Sequence, residues 1–250
     1  MIIKNLTVIT IIIVLGSLYS FAQMPEGDSF VFSQLMYKGG NWDPYPSMFR
    51  ELEYFVTTTT SIKFYPEMKN VRLRDDAIFN SPFLYIAGNG EFDELSDEEI
   101  EMLRRYLKGG GIIFADDCQS RKNYGFDKSF RREMKRVFPE REFEKIPKDH
   151  VIYRSFYLNP KTVGTRDINS YLEGIYVEDR IAIIYSQNDM SGVWARDKLG
   201  NWFKKCTPGG ETQRLESQKL FVNIIFYALC DTYKKDTIHV PFIKRKLKKR

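Results

Sequence analysis

Three adjacent side chains with chemical potential, Asp116, Asp117 and Cys118, close the stretch Gly109 to Cys118, which reads GGGIIFADDC. A cysteine can act as a nucleophile when an imidazole or a helix N-terminus favours its thiolate, and His150 is the available base. Two carboxylates beside the thiol oppose that use, because negative charge raises a thiol pKa. Asp116 and Asp117 together with Asp189 supply the oxygen donors that Ca²⁺ or Mg²⁺ prefer, although adjacent aspartates more commonly serve turns and caps. A paired-carboxylate hydrolase is a further use of the same residues, but neighbours in sequence need not face one another. The catalytic candidates are therefore Asp116, Asp117, Cys118 and His150. Three cysteines without a CxxC spacing and two histidines, His150 and His239, do not make a structural zinc motif, and no pattern calls for a cofactor.

These residues need a scaffold to present them. Glycines that stop a helix, an uninterrupted apolar run and an abrupt return to polarity describe a buried parallel strand. Phe30 to Met36, Pro82 to Ala87 and Arg180 to Ser186 have the same character. Each ends in a polar cluster, and in an open parallel sheet such ends share one rim, where ligands bind. The expected ligand-binding set is Gly39, Gly40, Asn41, Trp42, Asn89, Asp116, Asp117, Asn188 and Asp189.

Between the strands the apolar spacing predicts helices. Met48 to Val56 is capped by Ser47 and ended by Thr57 to Thr60, with a short strand at Ile62 to Phe64 beyond it. Ser96-Asp97-Glu98-Glu99 is a capping box for a helix that Gly109 ends in a left-handed conformation. Asp127 caps a helix carrying Phe130, Met134, Val137 and Phe138. The pattern weakens from 143 to 171, an insertion packed by its aromatics, and resumes with a strand at Leu172 to Val177. A last helix from Thr212 to Cys230 is apolar nearly all round from Leu220, with Cys230 as buried filler.

Composition fits a globular protein of one large domain: 250 residues, 43% hydrophobic, 28% charged. The net charge is +5, but Lys244, Arg245, Lys246, Lys248, Lys249 and Arg250 account for six positive charges, so residues 1–243 carry one net negative charge. That excludes a basic nucleic-acid surface on the domain. Residues 240–250 read as a solvated basic tail, with weak membrane-surface contact as its sharper use. At the other end, Lys4, the apolar run Leu6 to Tyr19 and Ser20-Phe21-Ala22 form a signal peptide, residues 1–22, cleaved near Ala22. The mature protein is then periplasmic or secreted, with a single α/β domain over 23–239.

The motifs YKGGNW (37–42), PFLYIAGNG (82–90), Gly109 to Cys118, FRREM (130–134), Asp149-His150 with Ser155-Phe156-Tyr157, Leu172-Glu173-Gly174, Arg180 to Ser186 with Asn188-Asp189, and Asn223 with Tyr227-Ala228-Leu229 jointly resemble a bacterial family, domain of unknown function 4159. The resemblance runs from about Phe30 to Cys230. It implies a three-layer sandwich with a mostly parallel sheet, flavodoxin-like and similar to class I glutamine amidotransferases. Counted from Gly109-Gly110, the position matching their nucleophile holds Asp116, and Cys118 is followed by Gln119 and Ser120 where a sharp elbow needs glycine. The expected function is a non-catalytic, exported domain binding a small ligand or an envelope protein at the carboxyl ends of its strands. A hydrolase of amides, esters or glycans and an envelope assembly component are the alternatives.

Overall fold

The structure, a computed structural model, describes residues 29–234, with no side chain described beyond Cys230. Residues 1–22, read as a signal peptide, and residues 240–250, read as a basic tail, lie outside the described residues. Seven strands form one sheet: β1 (Ser33–Leu35), β2 (Lys69–Val71), β3 (Phe83–Gly88), β4 (Ile112–Asp117), β5 (Glu144–Lys145), β6 (Glu173–Val177) and β7 (Arg180–Ser186). Their order is β2-β1-β3-β4-β7-β6-β5. The first five in that order are mutually parallel, while β6 runs antiparallel to both β7 and β5. Two residues, Glu178 and Asp179, turn β6 into β7, and Glu178 takes the positive φ of 55° that a tight hairpin demands.

Among the described residues four α-helices cover the sheet: α1 (Met48–Thr59), α2 (Asp97–Lys108), α3 (Phe126–Val137) and α4 (Gly210–Lys234). Strand pleating decides which helices meet which residues. Phe83, Tyr85, Ile112 and Phe114 join Leu52, Val56, Phe221 and Ile225 in a core under α1 and α4. Leu84, Ile86, Ile113 and Ala115 pack instead with Leu103, Leu107, Phe130 and Met134 under α2 and α3. Helices on both faces of a mostly parallel sheet make the expected three-layer α/β sandwich.

Local features depart from expectation in identifiable ways. The strand assigned to Ile62 to Phe64 is a lone bridge from Phe64 to Phe30, and the edge strand lies at Lys69–Val71. Ser47 makes no capping bond; its hydroxyl exchanges hydrogen bonds with the backbone of Arg196. The run Thr57 to Thr60 does end α1, whose last residue is Thr59 and C-cap Thr60, and the four hydroxyls bond back to carbonyls four residues before. The left-handed residue after α2 is Gly110, φ 110°, while Gly109 stays helical. Cys230 is exposed, not buried filler, since α4 continues past it to Lys234.

Candidate functional site

The carboxyl ends of β1, β3, β4 and β7 lie side by side, with Gly88 opposite Asp117 and Asp116 opposite Ser186. The four polar clusters therefore share one rim. The same pleat that divides the cores divides the chemistry-bearing triplet, because residues i and i+2 share a face and i+1 does not. Asp116 and Cys118 turn toward α1 and α4. Asp117 turns the other way, where its carboxylate accepts the N–H groups of Gln119 (2.9 Å) and Arg121 (3.2 Å) and closes the loop after β4. Burial pushes its pKa up to about 7 against those bonds.

Beneath the rim, on the α1/α4 side, a buried polar cluster ties β4 to the loop after β7. Asp116 accepts the backbone N–H of Met190 (3.0 Å) on Oδ1 and that of Ser191 (2.7 Å) on Oδ2, together with the Ser191 hydroxyl. The Cys118 Sγ lies 3.1 Å from the Ser191 Oγ and 3.8 Å from Asp116 Oδ2. Asp189, held at φ 58°, accepts on Oδ2 from the Tyr45 hydroxyl (3.1 Å), the Thr165 hydroxyl and Lys204 Nζ (3.0 Å), while its buried Oδ1 meets no partner. Asp116, Cys118 and Asp189 each offer one donor atom, and these atoms all lie within 4.8 Å of one another. Burial raises the pKa of both aspartates; the charge of Asp189 adds to the rise at Asp116, while Lys204 and the Thr165 and Tyr45 hydroxyls oppose it at Asp189. Burial, then the charges of Asp116 and Asp189, lifts the Cys118 thiol well above its ordinary range. A raised thiol is a poor nucleophile at neutral pH.

The remaining expected residues separate. Gly39 and Gly40 are exposed at φ 68° and 59°, and a Cβ on either would strike Asp93 or the Glu91 carbonyl. Their size thus serves close packing against residues 91–93. Asn41 is exposed and its Oδ1 accepts from Asp43 N; half-buried Trp42 lends its carbonyl to Gln34; Asn89 is exposed. His150 is not brought to Cys118. Its Nδ1 caps Ile152 and its ring packs edge-on to Tyr227, whose hydroxyl meets Ile181 at the start of β7. Cys118 follows the opposite end of the sheet, and the rise from Ile181 to Ser186 is about 16 Å. Asp127 is likewise no cap: from the first turn of α3 it gathers the Tyr185 hydroxyl (2.7 Å), Gln187 Nε2 (2.7 Å) and Arg131 Nε (2.8 Å).

Asn188, fully buried, fastens the insertion to the rim. Its Oδ1 accepts the N–H groups of Ile168 (2.8 Å) and Asn169 (2.9 Å), and its Nδ2 donates to the carbonyls of Asn169 (2.7 Å) and Thr162 (3.3 Å). On the insertion a pocket of about 640 Å³ is lined by Lys148, Asp149, Tyr153, Arg154, Lys161 and Thr162 among others. That volume is in the range of small-molecule sites, about 300–1,000 Å³. Tyr45, Tyr85, Thr165, Ser191, Lys204 and the pocket residues were not legible as site members. Only Ser191, two residues after Asp189, offered a signal.

The family model for domain of unknown function 4159 matches residues 31–229, and the chain belongs to that family. No curated protein matches the chain. Among the described residues no helix is long and apolar enough to cross a membrane.

Proposed function

We propose that this member of the domain of unknown function 4159 family is an exported, non-catalytic binding domain that holds a small acidic ligand in the insertion pocket beside the carboxyl end of β7. The observation that carries this reading is the contrast between the two regions. Asp116, Asp117 and Cys118 are buried and engaged in joining loops to strands. The open volume belongs to the insertion, where Lys148, Arg154 and Lys161 outnumber Asp149 and Asp167. Cations with a tyrosine and a threonine nearby suit a carboxylate or phosphate carried on a polar body. Export follows from the leader and is tested by fractionation of cells expressing the chain with and without residues 1–22.

Binding is tested by calorimetry against sugar acids, sugar phosphates, dicarboxylates and short peptides. A ligand of this site loses at least tenfold in affinity, about 1.4 kcal/mol, on combined Arg154→Ala and Lys161→Ala. Both side chains are exposed, so the fold is retained. Product release from any of these compounds, or binding that survives those changes and is lost on Asn41→Ala with Asn89→Ala, overturns the reading.

A further inference from the structure

We propose that Asp116, Cys118 and Asp189 form a buried metal site, with Zn²⁺ as the ion their donors fit. The inference is independent of the insertion pocket. Three donor atoms from the end of β4 and the loop after β7 converge within 4.8 Å. Cys118 Sγ already stands 3.8 Å from Asp116 Oδ2, close to the about 3.6 Å that tetrahedral Zn²⁺ sets between a thiolate and a carboxylate ligand. One oxygen of the cluster lacks a partner. Asp189 Oδ1 is buried and unbonded although Oδ2 accepts three hydrogen bonds. The fully buried Tyr85 hydroxyl stands beside Ser191 and in the field of Cys118, Asp116 and Asp189. An oxygen with two free lone pairs, sealed from water, is costly unless something meets it.

Charge supports the assignment. Two carboxylates and a thiolate carry three negative charges, and Lys204 supplies one positive charge on Asp189. A divalent ion brings the cluster to neutrality. Thiolate among the donors favours Zn²⁺ over the hard cations Ca²⁺ and Mg²⁺. As the Sγ–Zn bond forms, the Cys118 proton leaves to solvent and the Ser191 hydroxyl remains to bond Asp116. Lys204, 38% exposed, marks the side on which the cluster approaches solvent.

The test is elemental analysis of the full chain purified without chelator, and again after refolding with equimolar Zn²⁺, followed by Co²⁺ substitution. About one Zn²⁺ per chain is expected, with a thiolate-to-metal charge-transfer band for Co²⁺. Cys118→Ala and Asp189→Asn lose at least tenfold in metal affinity, while Asp117→Asn, equally buried on the same strand, keeps it. A metal-free chain after refolding, Co²⁺ without the thiolate band, or metal retained by both Cys118→Ala and Asp189→Asn overturns the site. Should those variants not fold, the Co²⁺ spectrum of the unaltered chain decides alone.

Discussion

Asn188→Ala removes the clasp between β7 and the insertion. The wild-type amide makes four hydrogen bonds to the backbone of residues 162, 168 and 169. Asn169 is 5% exposed, so its N–H and carbonyl have no water to replace the lost partner. A buried group left unsatisfied costs about 1–3 kcal/mol. The Thr162 carbonyl is buried too, whereas Ile168 is 38% exposed and its N–H can rehydrate, so three buried groups put the total at about 3–9 kcal/mol. Urea unfolding of the variant against the unaltered chain measures the difference, and hydrogen exchange should show the loss centred on residues 162–169. Asn188→Asp keeps the acceptor but buries a charge and loses the donor, so it should be no better tolerated. A change below about 1 kcal/mol, or exchange that quickens everywhere except the insertion, refutes the clasp.

Other expectations follow from the same contacts. Asp127→Ala leaves Tyr185, Gln187 and Arg131 without their shared acceptor and should cost about 3–5 kcal/mol in urea unfolding. Gly88→Ala places a Cβ 2.2 Å from the Tyr37 hydroxyl and 2.5 Å from the Phe126 ring, which should destabilise by about 1–3 kcal/mol and lower the melting temperature. Thiol alkylation of the native chain should modify Cys230 alone, with Cys118 and Cys206 reacting only in denaturant; rapid native labelling of Cys118 would contradict its burial.

Much of the frame was legible because its signals are local. Ser96 and Glu99 make both bonds of the capping box, and the apolar runs at Phe83–Gly88, Ile112–Asp117 and Arg180–Ser186 are strands because a doubly covered sheet demands them. Lys69–Val71 and Glu144–Lys145 left little trace, since edge strands bury almost nothing: Val71 is the only buried residue of the five. The candidate site was legible in its rim but not in its partition. Period-two alternation already places Asp116 with Cys118 and apart from Asp117, a division that the adjacency of the two carboxylates conceals. Thr165, Lys204 and Tyr45 reach Asp189 from loops 15 to 144 residues away in sequence, and no local pattern encodes such contacts.

The division between a sealed rim and an open insertion pocket is tested most directly by amide chemical-shift mapping with the tightest ligand from the calorimetric panel. Shifts centred on Tyr153, Arg154, Lys161 and Thr162, with the ligand recovered intact, are the expected result. Shifts centred on Gly39 to Trp42 and Asn89, or conversion of the ligand during the titration, would contradict it.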